Sequence, residues 1–352
     1  MFGRLGRMLY FCAMKRMLGY IVFCLWLSTL CAQPRFRVMT WNLENLFDCH
    51  DDSLKQDEDF LPDSERQWTW GRYWRKIEDV SRVVMGIGEN MPPALVALQE
   101  VENDSVLTAI TKRSTLRSLG YEYVMTDSPD PRGVDVALMY QPLLFRLLGW
   151  ESRRIPSAAY GLRPTRDLLH VWGRVSSGDT LHVIVCHLPS RLGGRAGKLN
   201  RKLAVNCILS LTDSLLACNP QCQIMLMGDF NATLRDKSLN PLNPLNSSHP
   251  LNPLNSLNLL NSSSFLPLTP NKKRPVEGTY RYKGNWSWID HIMVSPALSD
   301  KASMARLYTQ PWMQRPVSDG TWYPRRTYLG TSYNVGVSDH VPIYADLDYS
   351  NP

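Results

Sequence analysis

Short apolar runs bounded by polar residues recur along the chain. Phe36–Trp41, Leu95–Gln99, Val134–Tyr140, Leu181–His187, Ile224–Met227, Trp288–Val294 and Val341–Leu347 have the look of buried strands. Between them apolar residues return at three- and four-residue spacing. Tyr73, Ile77, Val80, Val84 and Ile87 form one such series, and Leu199, Leu203, Cys207, Leu211 and Leu215 another. That is the period of a helix with one buried face. Strands interleaved with helices predict an α/β or mixed sheet with helices outside it. No hinge-like linker divides residues 33–352, so one large domain is expected there.

Two segments depart from this pattern. Residues 238–264 comprise eight Leu, seven Asn, seven Ser, four Pro and His249, with Pro-Leu-Asn repeated and no charge or aromatic ring. Proline every few residues blocks both helix and strand ladders. The stretch reads as a disordered surface insertion, or alternatively as a short repetitive binding motif. At the other departure, residues 1–32 carry Arg4, Arg7, Lys15 and Arg16 and no acid, then an uncharged run from Met17 to Ala32 rich in Leu, Ile, Val, Phe and Trp. A basic start, a short apolar run and a small-residue exit predict a secretory signal peptide and export to the periplasm or the extracellular space. The alternatives are an uncleaved N-terminal anchor or, through Cys31, a lipid-anchored form. After signal removal no transmembrane segment is expected.

Composition sharpens the picture only after that correction. With 352 residues, 44% hydrophobic and 20% charged, the chain is long and apolar enough for a large core, which excludes a disordered or collagen-like protein. The net charge of +7 points toward an acidic partner. Removing 32 residues and their four cations leaves 320 residues and +3, so most of the basicity belongs to the export signal. Five cysteines remain: Cys49, Cys186, Cys207, Cys218 and Cys222. Cys218 and Cys222 could close a small loop, or all five could be free thiols. Cys-x-x-Cys pairs are absent, so no zinc site is indicated.

The chemistry lies where the strands end. Asn42-Leu43-Glu44-Asn45, Gln99-Glu100, Cys186-His187, Gly228-Asp229-Phe230-Asn231, Asp290-His291 and Ser338-Asp339-His340 each place carboxylate, amide or imidazole groups at the edge of an apolar run. Asn42 and Glu44, like Asp229 and Asn231, are two apart, which in extended backbone puts both side chains on one face. Gathered in one crevice, Glu44, Glu100, Asp229, Asp290 and Asp339 would repel one another unless a cation neutralises them. Oxygen ligands favour Mg²⁺, with Mn²⁺ or Ca²⁺ as alternatives. His187 and His340 add groups that move protons near neutral pH. Such a set suits cation-assisted attack of water on a phosphoester. His170 and His182, on strand patterns, read as structural, and the acidic loop Asp48–Asp59 around His50 reads as a solvated surface stretch.

Taken in order, these motifs resemble the endonuclease/exonuclease/phosphatase superfamily, from Arg37 to Leu347. That fold is shared by pancreatic-type deoxyribonucleases, exonuclease III-like endonucleases, neutral sphingomyelinases and inositol-polyphosphate phosphatases. The wording around Asn45-Leu46-Phe47-Asp48, Arg132–Ala137 and Pro189-Ser190-Arg191 is similar to exported bacterial members. The resemblance implies a four-layer α/β sandwich, two packed mixed β-sheets flanked by helices. It implies that Glu100 binds the metal, with Asn42, Glu44 and Asp339 beside it. Asp229 would position or deprotonate water and Asn231 would hold it or a phosphate oxygen. His340, oriented by Asp290, would stabilise or protonate the departing group, and His187 would match a second histidine. Asp135 could be presented to His187. Arg166 resembles a phosphate-contacting arginine, or else pairs with Asp167 or another acid, and Arg191 opens a phosphate-side loop within a basic stretch reaching Lys202.

Arg315, Arg325 and Arg326, interleaved with Trp322, Tyr323 and Tyr328, suit phosphate contact with base stacking, or simply packing of a loop. The expectation is an exported Mg²⁺-dependent endonuclease or phosphodiesterase acting on nucleic acid. It would act as a monomer without a stable protein partner. A lipid- or inositol-phosphate phosphoesterase and an inactive binding module on the same scaffold are the alternatives.

Overall fold

The computed structural model describes residues 36–243, 264–272 and 277–349. The expected signal over 1–32, and most of the Pro-Leu-Asn stretch, lie outside them. Strands β1 (Phe36–Leu46), β2 (Leu95–Val101), β3 (Glu122–Met125) and β4 (Asp135–Tyr140) build the middle and one edge of a first sheet. Strands β5 (Arg146–Arg153), β6 (Leu168–Arg174), β7 (Thr180–His187) and β8 (Gln223–Asp229) begin a second. The C-terminal part supplies β9 (Leu266–Pro267), β12 (Asp290–Val294), β13 (Arg306–Leu307) and β18 (Ile343–Leu347). Among the described residues the first sheet runs β13-β18-β1-β2-β4-β3 and the second β5-β6-β7-β8-β12-β9, both mixed and six-stranded. Three hairpins lie outside them: β10 (Tyr280–Tyr282) with β11 (Asn285–Ser287), β14 (Gln314–Pro316) with β15 (Trp322–Pro324), and β16 (Tyr328–Leu329) with β17 (Ser332–Tyr333).

Side-chain alternation decides the layers. On β1, Phe36 and Val38 face the second sheet and share a core with Leu95, Val136, Val171, Val183 and Met227. Met39, Trp41 and Leu43 face the other way, against Tyr73, Ile77, Val80 and Val84 of helix α1 (Trp70–Gly88). The short helix α2 (Asp104–Thr108) joins the same outer core. On the far side Ile184, Cys186, Ile224 and Leu226 meet helix α3 (Gly194–Cys218). Helix, sheet, sheet, helix is the four-layer sandwich expected from the sequence.

The face of α3 differs from the one read from spacing. Leu203 and Leu211 are buried as the spacing predicts, but Leu199 is exposed and Cys207 only half-buried, and Ala204, Val205 and Ile208 complete the buried face. Buried with them is Arg201, which donates to Pro189 O at 2.6 Å. A cation on the inner face hides the true stripe, and Arg201 is no part of an open basic surface. All five cysteines of the described residues are free thiols, Cys218 exposed and Cys222 buried. The first residues of the Pro-Leu-Asn stretch are also more ordered than composition implied. Asp236 caps a turn over Lys237–Leu239, and Leu239 and Leu242 are buried.

The topology places the chemistry. β1 runs parallel to β2 and β7 parallel to β8, so four strands end on one edge. β12 runs antiparallel to β8 and starts where β8 stops, pairing Asp290 with Asp229. Asp229 in turn sits opposite His187. One glycine makes this close pairing possible. Gly228 has φ of +143°, and a Cβ there would collide with the carbonyl oxygen of Cys186 on β7. Gly228→Ala is therefore expected to destabilise the fold by about 3 kcal/mol or more in urea denaturation. Loss of less than about 1 kcal/mol would show that β7 and β8 can separate without penalty.

Candidate active site

The strand ends do not stay extended. Glu44, Asn45, Glu100 and Asn231 have φ of 50°, 55°, 61° and 49°, in the left-handed region that non-glycine residues seldom enter. The β1–β2 register shifts between Asn42 and Leu46, as in a bulge. Asn42 and Glu44 do share the cleft, but through a turn in which Asn42 Oδ1 accepts the Glu44 N–H at 2.9 Å. Asp229 and Asn231 repeat the device, Asp229 Oδ1 accepting the Asn231 N–H at 2.7 Å. Two-residue spacing located these pairs correctly for a different reason from the one it suggested.

The result is a cleft of about 470 Å³ lined by Asn42, Glu44, Glu100, Asp229, Asn231, Asp339 and His340. His187, Arg166 and Arg191 line it too, as do Asn45, Arg132, Tyr280 and Arg326. His340 Nδ1 donates to Asp290 Oδ2 at 2.9 Å, and its Nε2 points toward Asp229 Oδ2 at 3.9 Å. Asp229 Oδ2 also accepts from Asn42 Nδ2 at 3.1 Å and Asn231 Nδ2 at 3.2 Å. The main chain of His340 is fixed in turn, its carbonyl by the Trp41 indole N–H at 2.9 Å and its N–H by Ser338 Oγ at 3.0 Å.

The two histidines are driven in opposite directions. Burial alone would lower His340, but Asp290, Asp229 and Asp339 outweigh it and hold the ring well above its usual range, as a cation. His187 is pushed well below by burial and then by Arg166, Arg132 and His340, so it is neutral. Its Nε2 lies 3.6 Å from Asp229 Oδ2 and 3.7 Å from Glu100 Oε1, and its buried Nδ1 has no partner. The carboxylates divide likewise. Burial, then Asp290, raises Asp229 to about 7, and burial, then Asp339, raises Glu44 to about 7. Burial would also raise Glu100, yet Arg132, His340, Arg166 and the Asn45 N–H hold it below the usual range.

Asp135 is not where the sequence reading put it. It does not reach His187; its Oδ1 accepts from Thr126 Oγ1 at 2.5 Å and from Ser128 N at 3.0 Å, within the second edge of the first sheet. Arg166 does not pair with Asp167, which Arg154 takes at 2.9 Å. It is buried, donating to Asp130 Oδ2 at 2.9 Å and Leu188 O at 3.0 Å, with its Nε unpartnered beside the cleft. Arg191 donates to Asn231 O at 3.1 Å. His170 and His182 hydrogen-bond each other at 3.0 Å on neighbouring strands, remote from this edge, as structural residues. The Asp48–Asp59 loop is less solvated than its charge implied. Asp48 and Asp57 are buried, accepting the N–H groups of His50 and Asp52.

Sequence reasoning missed three cleft residues and one supporting cation. Arg326, named only within an aromatic-rich segment, bridges Glu44 Oε1 at 2.9 Å and Asp339 Oδ2 at 3.0 Å. Arg315 and Arg325 instead pack, over Tyr323 and onto Asn334 O. Arg132 donates to Asn45 Oδ1 at 2.7 Å and faces Glu100 Oε1 at 3.4 Å. Tyr280 lies against the His340 ring at 5.0 Å. Lys76, three residues after Tyr73 and four before Val80, sits on the apolar face of α1, and that position was the available signal. Its buried Nζ donates to Glu44 O at 2.6 Å and Thr327 Oγ1 at 2.9 Å, and burial lowers it to about 8.

The donor set suits a hard divalent cation. Glu44, Glu100 and Asp339 offer only oxygens, and each is already drawn to a positive group. Asp229, Asp290 and His340 also converge, with ligand atoms within 4.8 Å of one another. There, however, His340 Nδ1 is committed to Asp290 and Asp229 accepts from two amides. Lys76→Met is expected to cost about 2 kcal/mol in urea unfolding, by stranding Glu44 O and Thr327 Oγ1. A change under about 0.5 kcal/mol would show that Lys76 does not brace the site.

Comparison with known proteins agrees with this geometry. Residues 37–349 match the family model described as Endonuclease/Exonuclease/phosphatase family. No curated protein matches the sequence. An endonuclease/exonuclease/phosphatase family protein from Bacteroides thetaiotaomicron has a similar structure, with 16% identity and a TM-score of 0.56 over 90% of this chain and 100% of that one. A mannosyl-6-phosphatase from the same organism gives 16% and 0.55 over 89% and 100%. Truncated TDP2 from Caenorhabditis elegans gives 17% and 0.54 over 89% and 97%. At such identities the structural likeness establishes the fold alone, while the family match spans nearly all the described residues. The chain belongs to the endonuclease/exonuclease/phosphatase family.

Proposed function

We propose that the protein is an exported, Mg²⁺-dependent phosphodiesterase that cuts nucleic acid endonucleolytically. The observation that carries the hydrolytic part is the convergence of a cationic His340–Asp290 pair, Asp229 with its two amides, and neutral His187 in one cleft with Glu100. A second hollow of about 270 Å³, lined by Phe60, Arg66 and Tyr328, shares Glu44, Asn45 and Arg326 with it. A phosphate held at their shared wall would have one hollow for each ester substituent, which favours a diester over a monoester. Beyond the cleft, Arg281 lies 4.2 Å from the Tyr323 ring centre, and Trp286 meets Trp322 at 4.7 Å, a surface suited to stacking. Export rests on the composition of residues 1–32.

Each residue then has a task. Glu100 with Glu44, Asn42 and Asp339 would hold a divalent cation, which would supply charge neutralisation at the phosphoryl oxygens. Asp229, raised by burial and Asp290, accepts a proton from the attacking water near neutral pH. Asn231 and Asn42 fix that carboxylate in place. His340, kept cationic by Asp290, donates a hydrogen bond or its Nε2 proton to the departing oxygen. Neutral His187 and the unpartnered Arg166 Nε offer hydrogen bonds to phosphate oxygens.

Purified protein should nick plasmid DNA with Mg²⁺ and stop with EDTA, and His340→Ala should lose at least about 100-fold in kcat/KM. RNA, sphingomyelin, inositol phosphates and sugar phosphates serve as competing substrates. Turnover of headgroup or sugar esters without DNA cleavage would replace the nuclease reading, and no turnover on any substrate would favour a binding module. A pH profile tests the assignment of roles. Activity should rise as Asp229 ionises, on a limb displaced upward toward about 7, and fall only at alkaline pH, where His340 loses its proton. Asp290→Asn removes the charge that raises His340, so its alkaline limb should move to lower pH. An unmoved alkaline limb would mean that His340 is not the titrating acid.

A further inference from the structure

The carboxylates assigned to the cation already hold a cation of the protein's own. Arg326 Nε meets Glu44 Oε1 at 2.9 Å and its guanidinium meets Asp339 Oδ2 at 3.0 Å, so one side chain joins two of the four proposed ligands. Glu44 is fixed from behind as well, its Oε2 accepting the Thr327 N–H at 2.8 Å and its carbonyl accepting Lys76. The backbone of this loop is therefore anchored independently of the Arg326 side chain. The side chain itself is 48% exposed and stands between the main cleft and the second hollow, lining both. A buried arginine locked in a structural network would be neither so exposed nor so placed.

Resting on the cation reading above, we propose that Arg326 is an internal counter-cation that competes with the divalent ion for Glu44 and Asp339, and that once displaced it contacts the substrate's phosphate. Charge balance requires something of the kind. Glu44 and Asp339 bring two like charges together in one cleft, and a positive group between them offsets that repulsion. Without the ion, the guanidinium fulfils that need. With the ion bound, its two oxygen partners are taken, and its planar fork is free at the boundary of the two hollows, where it matches a phosphodiester's oxygens. Arg132 faces Asn45 and Glu100 and Arg166 holds Asp130, so among these Arg326 is the arginine whose two partners are both proposed ligands. The ion and the phosphate would then bind with positive coupling.

The sign of one substitution separates this role from a structural one. In a calorimetric and electron-paramagnetic-resonance titration with Mn²⁺, Arg326→Gln should bind the ion about tenfold more tightly than the wild-type chain, with Arg326→Lys between them. Without metal, Arg326→Gln should melt below the wild type, and Mn²⁺ should close the gap. At saturating Mn²⁺ the same variant should show a several-fold higher KM for a DNA diester, the opposite direction from its metal affinity. Equal or weaker Mn²⁺ binding by Arg326→Gln overturns the competition, because a mere brace for Glu44 would loosen the site when removed. An unchanged KM overturns the phosphate contact. Absence of Mn²⁺ binding by either protein removes the cation reading and this inference together, whereas equal binding by both removes the inference alone.

Discussion

Five carboxylates brought to one edge of two packed sheets cannot all be ionised without compensation, and the rest of the site is organised around that constraint. An uncompensated buried charge costs several kcal/mol. The carboxylates are compensated by different routes. Glu100 keeps its charge because Arg132 and a backbone N–H face it. Asp290 hands its need to His340, whose ring becomes a cation in exchange. Glu44 and Asp339 share Arg326. Asp229, with amides and no arginine at hydrogen-bond distance, is raised to about 7 by burial and Asp290. Identical functional groups thus acquire different protonation tendencies from their neighbours alone, the usual origin of separate catalytic roles.

The backbone makes these neighbours available. Parallel pairing in each sheet brings β1 with β2 and β7 with β8 to a common edge, and antiparallel β12 brings Asp290 to meet Asp229 there. Side chains at strand ends would ordinarily splay. Left-handed residues at Glu44, Glu100 and Asn231 turn the chain back across the opening instead. Strained conformations of this kind persist only where surrounding structure over-determines them. Here the strands behind each turn are fully buried, with Val38, Leu98, Val185 and Met227 showing no exposure, so the strain has a rigid base.

Much of this was legible in the chain. Apolar runs located seven strands because a strand buried on both faces needs continuous apolar sequence, as Ile224–Leu226 on β8 shows. The polar residues at their ends located the site for the same reason, since nothing but chemistry or capping explains a carboxylate there. Strand β5 escaped notice because it is an edge with alternate residues exposed, and its short Leu147–Trp150 run is broken by Gly149 and closed by charged residues on both sides. The compensating cations escaped for another reason. Lys76, Arg132 and Arg326 come from a helix, a turn and a late loop, and their relation to Glu44 and Glu100 exists only in three dimensions. Asp135 was misplaced by the converse error: its strand was right, but Thr126 and Ser128 from the neighbouring β3 edge claimed its oxygens.

The two histidines show why position in the network matters more than residue type. Both are at least nine-tenths buried, and burial alone would strip the proton from each. His340 faces three carboxylates, one of them through a direct hydrogen bond, and keeps it. His187 faces Glu100 and Asp229 at distances too long for a hydrogen bond, while Arg166, Arg132 and the already cationic His340 oppose a second positive charge. One imidazolium in the cleft therefore excludes another. A neutral ring beside a cationic one retains an acceptor nitrogen that the cationic ring lacks. This asymmetry follows from the partners each ring meets, Asp290, Asp229 and Asp339 around His340 against Arg166 and Arg132 around His187, rather than from burial, which the two rings share.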